Sequence, residues 1–255
     1  MNDLVTFTVV LAIGIFLTYL YSKALKLNVQ PIPIAEKKRE ATLGLLVFAA
    51  VFVVTFGVYA FYNSVWVRTT LTADPIYVLR DAIWIGAILA PAVAAMKWTK
   101  QGFGSVGISR RNLSKNIILA FVMSVTFIAI IGLMASLVGG SFGALSPATL
   151  FALLSSIIIG FGEELVFRGY IQTRLTAQSG AIFGIAATAV LFAFSQFPVG
   201  YYCFLDVPLG LFYAAWRLST GLLFGYMFHR SQSIFPSTIF HGLIVWWALQ
   251  WALYF

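Results

Sequence analysis

Charge is what this sequence has least of. Lys, Arg, Asp and Glu together make up 9% of its 255 residues, against about a quarter in a soluble globular chain. Hydrophobic residues make up 61%, a balance that excludes a water-soluble fold. Cysteine is nearly absent: Cys203 alone excludes an intrachain disulfide and any multi-cysteine metal site. Acids are scarce too, eight against sixteen basic residues for a net charge of +8. Such a balance raises the question of nucleic-acid binding, which concentrates basic residues on a solvated face. Here they stand in short gaps between apolar runs, where the positive-inside rule puts them. The lipid bilayer is the expected partner, and no nucleic acid is.

A spanning helix needs about 20 mostly apolar residues. Eight stretches qualify: 4–22, 41–62, 81–98, 116–138, 147–168 or beyond, 181–197, 208–228 and 234–254. Pro91 interrupts the third, which lipid-embedded helices tolerate when neighbours satisfy the freed carbonyl. The uncharged run between Asn116 and Gly162 is too long for one crossing. It contains Gly139-Gly140-Ser141 and Ser146-Pro147 as breakers. The expected fold is all-α, a polytopic membrane bundle of about eight transmembrane helices forming one membrane domain over 1–255.

Eight crossings put both termini on one side, and the charges test that count. Odd-numbered loops collect Lys23, Lys26, Lys37, Lys38, Arg39, Lys97, Lys100, Arg110, Arg111, Lys115, Arg168, Arg174 and Arg230. The opposite side has Arg68, Arg80 and Arg217, partly offset by Asp74, Asp81 and Asp206. The odd loops are therefore expected in the cytoplasm and both termini opposite. Met1-Asn2-Asp3 offers no basic region before the first apolar run, so a cleaved signal peptide is not expected. The linker from Lys23 to Glu40, with Pro31 and Pro33 ahead of a basic cluster, reads as an anchor to anionic headgroups. Trp246, Trp247, Trp251 and Tyr254 read as interfacial or packing aromatics.

Ionisable residues inside a span are costly and mark function by default. The densest group is Gly160-Phe161-Gly162-Glu163-Glu164-Leu165-Val166-Phe167-Arg168-Gly169. On a helix Glu164 and Arg168 are four apart with the acid first, the favourable orientation for an ion pair. Glu163 points about 100° away, which leaves one carboxylate paired and one free. A helix-end charge cluster at the interface is the plain alternative. Depth weighs against it: Glu163 precedes Gly180, and Gln196 follows it, by nearly the same number of residues. At 1.5 Å per residue both lie about 25 Å from a turn there. A second turn near Ser231–Ser233 puts His241 about 13 Å down the last helix. Three polar side chains on three helices are thus expected in one layer, although Gln196 and His241 taken singly read as packing residues. Gly221 and Gly225, four apart, read as a close helix contact.

The order Glu163-Glu164-x-x-x-Arg168, then Phe192-x-x-x-Gln196, then His241 on the last helix resembles the CPBP family of intramembrane proteases. That family comprises the Rce1-type CAAX prenyl endopeptidases and the bacterial Abi proteins, with motifs E-E-x-x-x-R, F-x-x-x-H and H-x-x-x-N or H-x-x-x-D. The resemblance covers 147–245, and the loop Gly107-Ile108-Ser109-Arg110-Arg111-Asn112-Leu113 is also similar to a cytoplasmic segment of the family. It implies that Glu163 activates the attacking water and that Glu164 with Arg168 supports it. Gln196 stands where the family has His, and Val245 where it has Asn or Asp. Gln196 can donate or accept a hydrogen bond but cannot take a proton at neutral pH; Val245 can do neither.

Two readings of different class follow. One is a CPBP-type endopeptidase, of impaired catalysis, cutting a peptide or protein segment presented from the cytoplasmic side. The other is a silent family member: a membrane scaffold, immunity-type or partner-binding subunit. A transporter would use the acids as an ion path, but no inverted repeat is visible. No cofactor is expected, and no metal: hydrolytic zinc takes about three protein ligands, and of Glu163, Glu164 and His241 one is tied to Arg168.

Overall fold

The helices begin and end where the apolar runs meet proline, glycine or charge. In the computed structural model, which describes residues 3–27, 30–65, 75–137 and 147–252, these are α1 (Asp3–Ala24), α2 (Lys37–Val65), α3 (Pro75–Trp98), α4 (Leu113–Leu137), α5 (Pro147–Glu164), α6 (Thr173–Ser179), α7 (Ala181–Phe204), α8 (Val207–Ser231) and α9 (Ile234–Ala252). A short 3-10 turn, Phe103–Val106, lies between α3 and α4. There is no strand among the described residues. Pro147 opens α5, where its missing N–H costs no hydrogen bond. Asp206 caps α8, its side chain accepting from the Leu209 N–H at 2.8 Å. The expected breakers Gly139, Gly140, Ser141 and Ser146 lie outside the described residues, as do Arg68, Asp74, Tyr254 and the Trp251 side chain.

Among the described residues six helical stretches are long and apolar enough to cross a membrane: Lys37–Tyr62, Val78–Trp98, Leu113–Leu133, Thr149–Ser179, Ala181–Phe204 and Val207–Ser231. Two shorter apolar stretches, Thr8–Ala24 and Ile234–Trp247, accompany them. Each of the eight expected spans falls on one of these helices, and the chain is a polytopic helical membrane protein. Its outer surface is apolar as lipid contact requires, with Phe16, Val53, Leu133, Leu150 and Phe194 each more than 60% exposed.

One end of the bundle carries the basic residues. There Arg230 Nε donates to Ser22 Oγ at 3.0 Å, the Ile32 N–H donates to Gln232 Oε1 at 3.2 Å, and the Arg39 guanidinium lies over the Trp98 ring. The linker after α1 is more than a surface anchor: Ile34 and Glu40 are buried, while Lys37 and Lys38 are exposed. Three residues that the charge count gave to the opposite end, Arg80, Asp81 and Arg217, sit within membrane-length helices. Asp81 is buried on α3, accepting from Ser155 and paired with Arg80 at 2.8 Å. Arg217 lies ten residues into α8.

α5 continues without a break through Leu165–Gln172 into α6, and the middle stretch is a π-helix. This wider spiral leaves carbonyls in need of partners, and side chains supply them. Thr173 Oγ donates to the carbonyls of Gly169 at 2.7 Å and Arg168 at 3.2 Å. All eight π residues are buried. The rod runs between two apolar clusters, one including Val51, Trp84, Ile88, Phe167 and Phe192, the other Leu119, Met123, Phe127, Phe224 and Phe240.

Candidate active site

The polar layer is assembled by close backbone approach. A Cβ on Gly160 would lie 2.9 Å from the Thr238 carbonyl and 3.1 Å from the Gly242 nitrogen. A Cβ on Gly242 would lie 3.2 Å from both the Ser156 carbonyl and Ile157 Cα. Glycine at both positions therefore lets α5 and α9 approach to backbone contact. The acids follow Gly160 by three and four residues, and His241 precedes Gly242. Helix contact and polar contact are thus written into neighbouring positions.

Within the layer, His241 Nδ1 lies 3.1 Å from Glu164 Oε1. Its other ring nitrogen, Nε2, lies 3.5 Å from Glu163 Oε2. Gln196 Nε2 donates to Glu163 Oε1 at 2.7 Å. Arg168 Nη1 pairs with Glu164 Oε1 at 3.0 Å, both side chains fully buried. The structure brings all five expected residues together, and Arg168 serves Glu164 rather than Glu163. Val245, one turn beyond His241, is half-buried and contributes only apolar surface.

Aromatic rings enclose this group. The Arg168 guanidinium lies 4.4 Å from the Phe192 ring centre and 5.3 Å from that of Phe224, a favourable placement for a desolvated cation. The His241 ring lies 4.6 Å from Phe224. The π stretch also reaches α8: Arg168 Nη2 donates to the Gly221 carbonyl at 3.3 Å and Gln172 Nε2 to the Gly225 carbonyl at 2.8 Å. The Gly221 and Gly225 pair therefore packs on α7, where a Cβ on Gly221 would meet Ala189 at 3.1 Å, and also offers two carbonyls to buried donors.

Hydrogen bonding in the layer is incomplete. Glu164 Oε2, Arg168 Nε and His241 Nε2 are buried without a hydrogen-bond partner among the described residues. Buried polar atoms are normally satisfied, and exceptions concentrate where water or a reacting group belongs. The layer is also closed, since Glu163, Glu164, Gln196 and His241 are each at most 2% exposed. An extended peptide reaches Glu163 only if neighbouring helices move. Among the described residues no group of three His, Cys, Asp or Glu side chains is arranged to hold a metal ion.

Reading the sequence alone missed two parts of this site: the π-helix and the Gly160–Gly242 contact. A glycine three residues before the acids and another directly after His241 were the available signals for the second.

No curated protein and no solved structure matches the chain. Residues 145–247 match the family model of the type II CAAX prenyl endopeptidase Rce1-like proteins. That segment contains the two acids, Arg168, Gln196 and His241, and over it the chain is similar to the Rce1-like proteins of the CPBP intramembrane protease family.

Proposed function

We propose that this protein is a glutamate-dependent intramembrane endopeptidase. The observation that carries the reading is the orientation chain Arg168–Glu164–His241–Glu163, in which each group is positioned by the one before it. Glu164, anionic beside Arg168, accepts the Nδ1 proton of His241, which leaves Nε2 as a bare acceptor facing Glu163. Glu163 takes a proton from a water as its oxygen bonds to the scissile carbonyl carbon. The proton then passes to the departing amide nitrogen as the C–N bond breaks, directly or through His241, whose imidazolium form Glu164 stabilises. Gln196 orients Glu163 and, by swinging its amide, donates to the developing oxyanion. The basic end faces the cytoplasm, and the peptide enters from there.

A second reading, a silent partner-binding member, is favoured by one contact. The Gln196 amide occupies a Glu163 oxygen at 2.7 Å, at a position where proton transfer would be served by histidine. The two readings separate in one experiment, with the purified protein in nanodiscs, a prenylated CAAX peptide and a pool of transmembrane peptides. Cleavage that disappears in Glu163→Gln supports the peptidase. If the natural protein is inert while Gln196→His with Val245→Asn cleaves, the silent reading replaces it.

A further inference from the structure

At the basic end of the bundle, cations from three helices converge on the last turn of α1. Lys23 Nζ and the Arg230 guanidinium both lie over the Tyr19 ring, 5.7 Å and 5.5 Å from its centre. Arg230 is fixed there by its Nε, which donates to Ser22 Oγ at 3.0 Å, and its two terminal nitrogens have no hydrogen-bond partner among the described residues. Lys26 follows Lys23 by three residues, and Lys115 Nζ of α4 donates to the Lys26 carbonyl at 3.3 Å. Lys23, Lys26, Lys115 and Arg230 thus ring one helix end.

Like charges so placed repel one another, and the chain supplies little to offset them. Among the described residues no acid lies within ion-pair distance of any of the four. Glu36 and Glu40, the acids of the adjoining linker, pair with Arg39 and Arg174 instead. The carbonyl end of α1 offers about half an elementary negative charge. Against four cations that is too little, and the ring calls for an anion from outside the chain.

The surface beside the ring selects the kind of anion. Phe16, Tyr19 and Leu20 share one face of α1 at helical spacing and are 61%, 42% and 44% exposed. This apolar strip starts under the cations and runs toward the middle of the span. A soluble phosphate would use the cations alone. A phospholipid uses both, its phosphate on the cations and an acyl chain along the strip.

We infer that this end of α1 is a binding site for an anionic phospholipid, with Lys23, Lys26, Lys115 and Arg230 holding the phosphate and Phe16, Tyr19 and Leu20 seating a chain. A diffuse attraction between a basic linker and a charged surface requires neither the shared Tyr19 ring nor cations from α4 and α8. Because α8 also presents the Gly221 and Gly225 carbonyls to Arg168 and Gln172, the bound lipid joins α1 and α4 to the helix behind the Glu163 layer. The site stands whether or not that layer hydrolyses peptides.

The test counts, by native mass spectrometry, the lipids that the full chain retains from mixed micelles of phosphatidylglycerol and phosphatidylcholine in equal amounts. Each basic group near the surface contributes about fivefold to the affinity for an anionic lipid, so the natural protein retains phosphatidylglycerol in preference by about 10-fold or more. Lys23→Gln with Arg230→Gln brings that ratio near 1. Lys97→Gln with Lys100→Gln removes the same charge at the end of α3 and changes the ratio by less than about twofold. If both pairs lower it equally, the attraction is diffuse and the inference falls. Equal retention of the two lipids by the natural protein overturns it without any variant. Glycerol phosphate carries the same group without a chain: if it displaces phosphatidylglycerol at equal concentration, the site belongs to soluble phosphates and the lipid assignment is wrong.

Discussion

Two buried arginines on the same rod, six residues apart, are held in opposite ways. Arg174 is saturated. It pairs with Glu40 at 3.4 Å, donates to the carbonyls of Ser105 at 2.9 Å, Gly169 at 3.3 Å and Tyr170 at 3.4 Å, and also bonds Gln101. Its guanidinium stacks 3.9 Å from the Tyr170 ring centre. Among the described residues Arg168 has the Glu164 carboxylate and one backbone carbonyl, and its Nε is left without a partner. Both are desolvated, yet only the first is surrounded by enough acceptors to satisfy it. Arg174 ties α2, the 99–107 loop and the π stretch together at the basic end. Arg168 stands in a layer with unused donors and acceptors, which is the condition chemistry needs and stability does not.

That contrast is best broken at its extremes. The largest effect on turnover belongs to Glu163→Gln, which removes the proton acceptor while keeping the Gln196 contact. Peptide cleavage falls about 10²- to 10⁴-fold, while the melting temperature in detergent stays close to the natural value. Should stability collapse with activity, the layer is a structural cluster like that of Arg174.

The opposite pole is Arg174→Met. It strands Glu40 and three carbonyls, and breaking a buried pair this way costs about 3–5 kcal/mol. Thermal unfolding followed by tryptophan fluorescence should show a large drop. Protein that remains folded should keep its peptide affinity. A variant as stable as the natural protein would mean that the network contributes no net stability.

Gly160→Val joins the two poles. Its side chain meets the Thr238 carbonyl and the Gly242 backbone, where overpacking costs about 1–3 kcal/mol. Pushing α9 away also separates His241 from both acids, so activity should fall by more than the unfolded fraction explains. Equal losses would leave the glycine contact with a packing role alone.

Gln196→Leu tests the finest distinction. Losing one oriented donor costs about 10²-fold in turnover with little change in peptide affinity, read as kcat against KM. A change confined to KM would assign Gln196 to substrate binding.

Much of this layer was legible before any coordinates. The near-equal spacing of Glu163 and Gln196 from Gly180 follows from helix rise, and their 2.7 Å contact is what an antiparallel hairpin makes of equal lengths. Glu164 and Arg168 pair as helical spacing implies. Asp81 and Arg217 went the other way. Asp81 stands at the edge of an expected span and Arg217 in the middle of one, yet the charge count gave both to the opposite end. Ser155 of another helix partners Asp81 inside, and Tyr213 partners Arg217. Neither partner can be read from local composition.

The sequence by itself determined that this chain lives in a bilayer, where its helices run, and which polar residues share a depth. These are consequences of hydropathy, helix rise and charge placement, which act along the chain and need no neighbour. Only the tertiary structure decided that the rod widens into a π-helix and that Gly160 and Gly242 bring α5 and α9 to backbone contact. Those outcomes depend on carbonyls and side chains brought from other helices. In a low-dielectric interior, whether a polar group is satisfied depends on what stands across from it rather than on what precedes it in the chain.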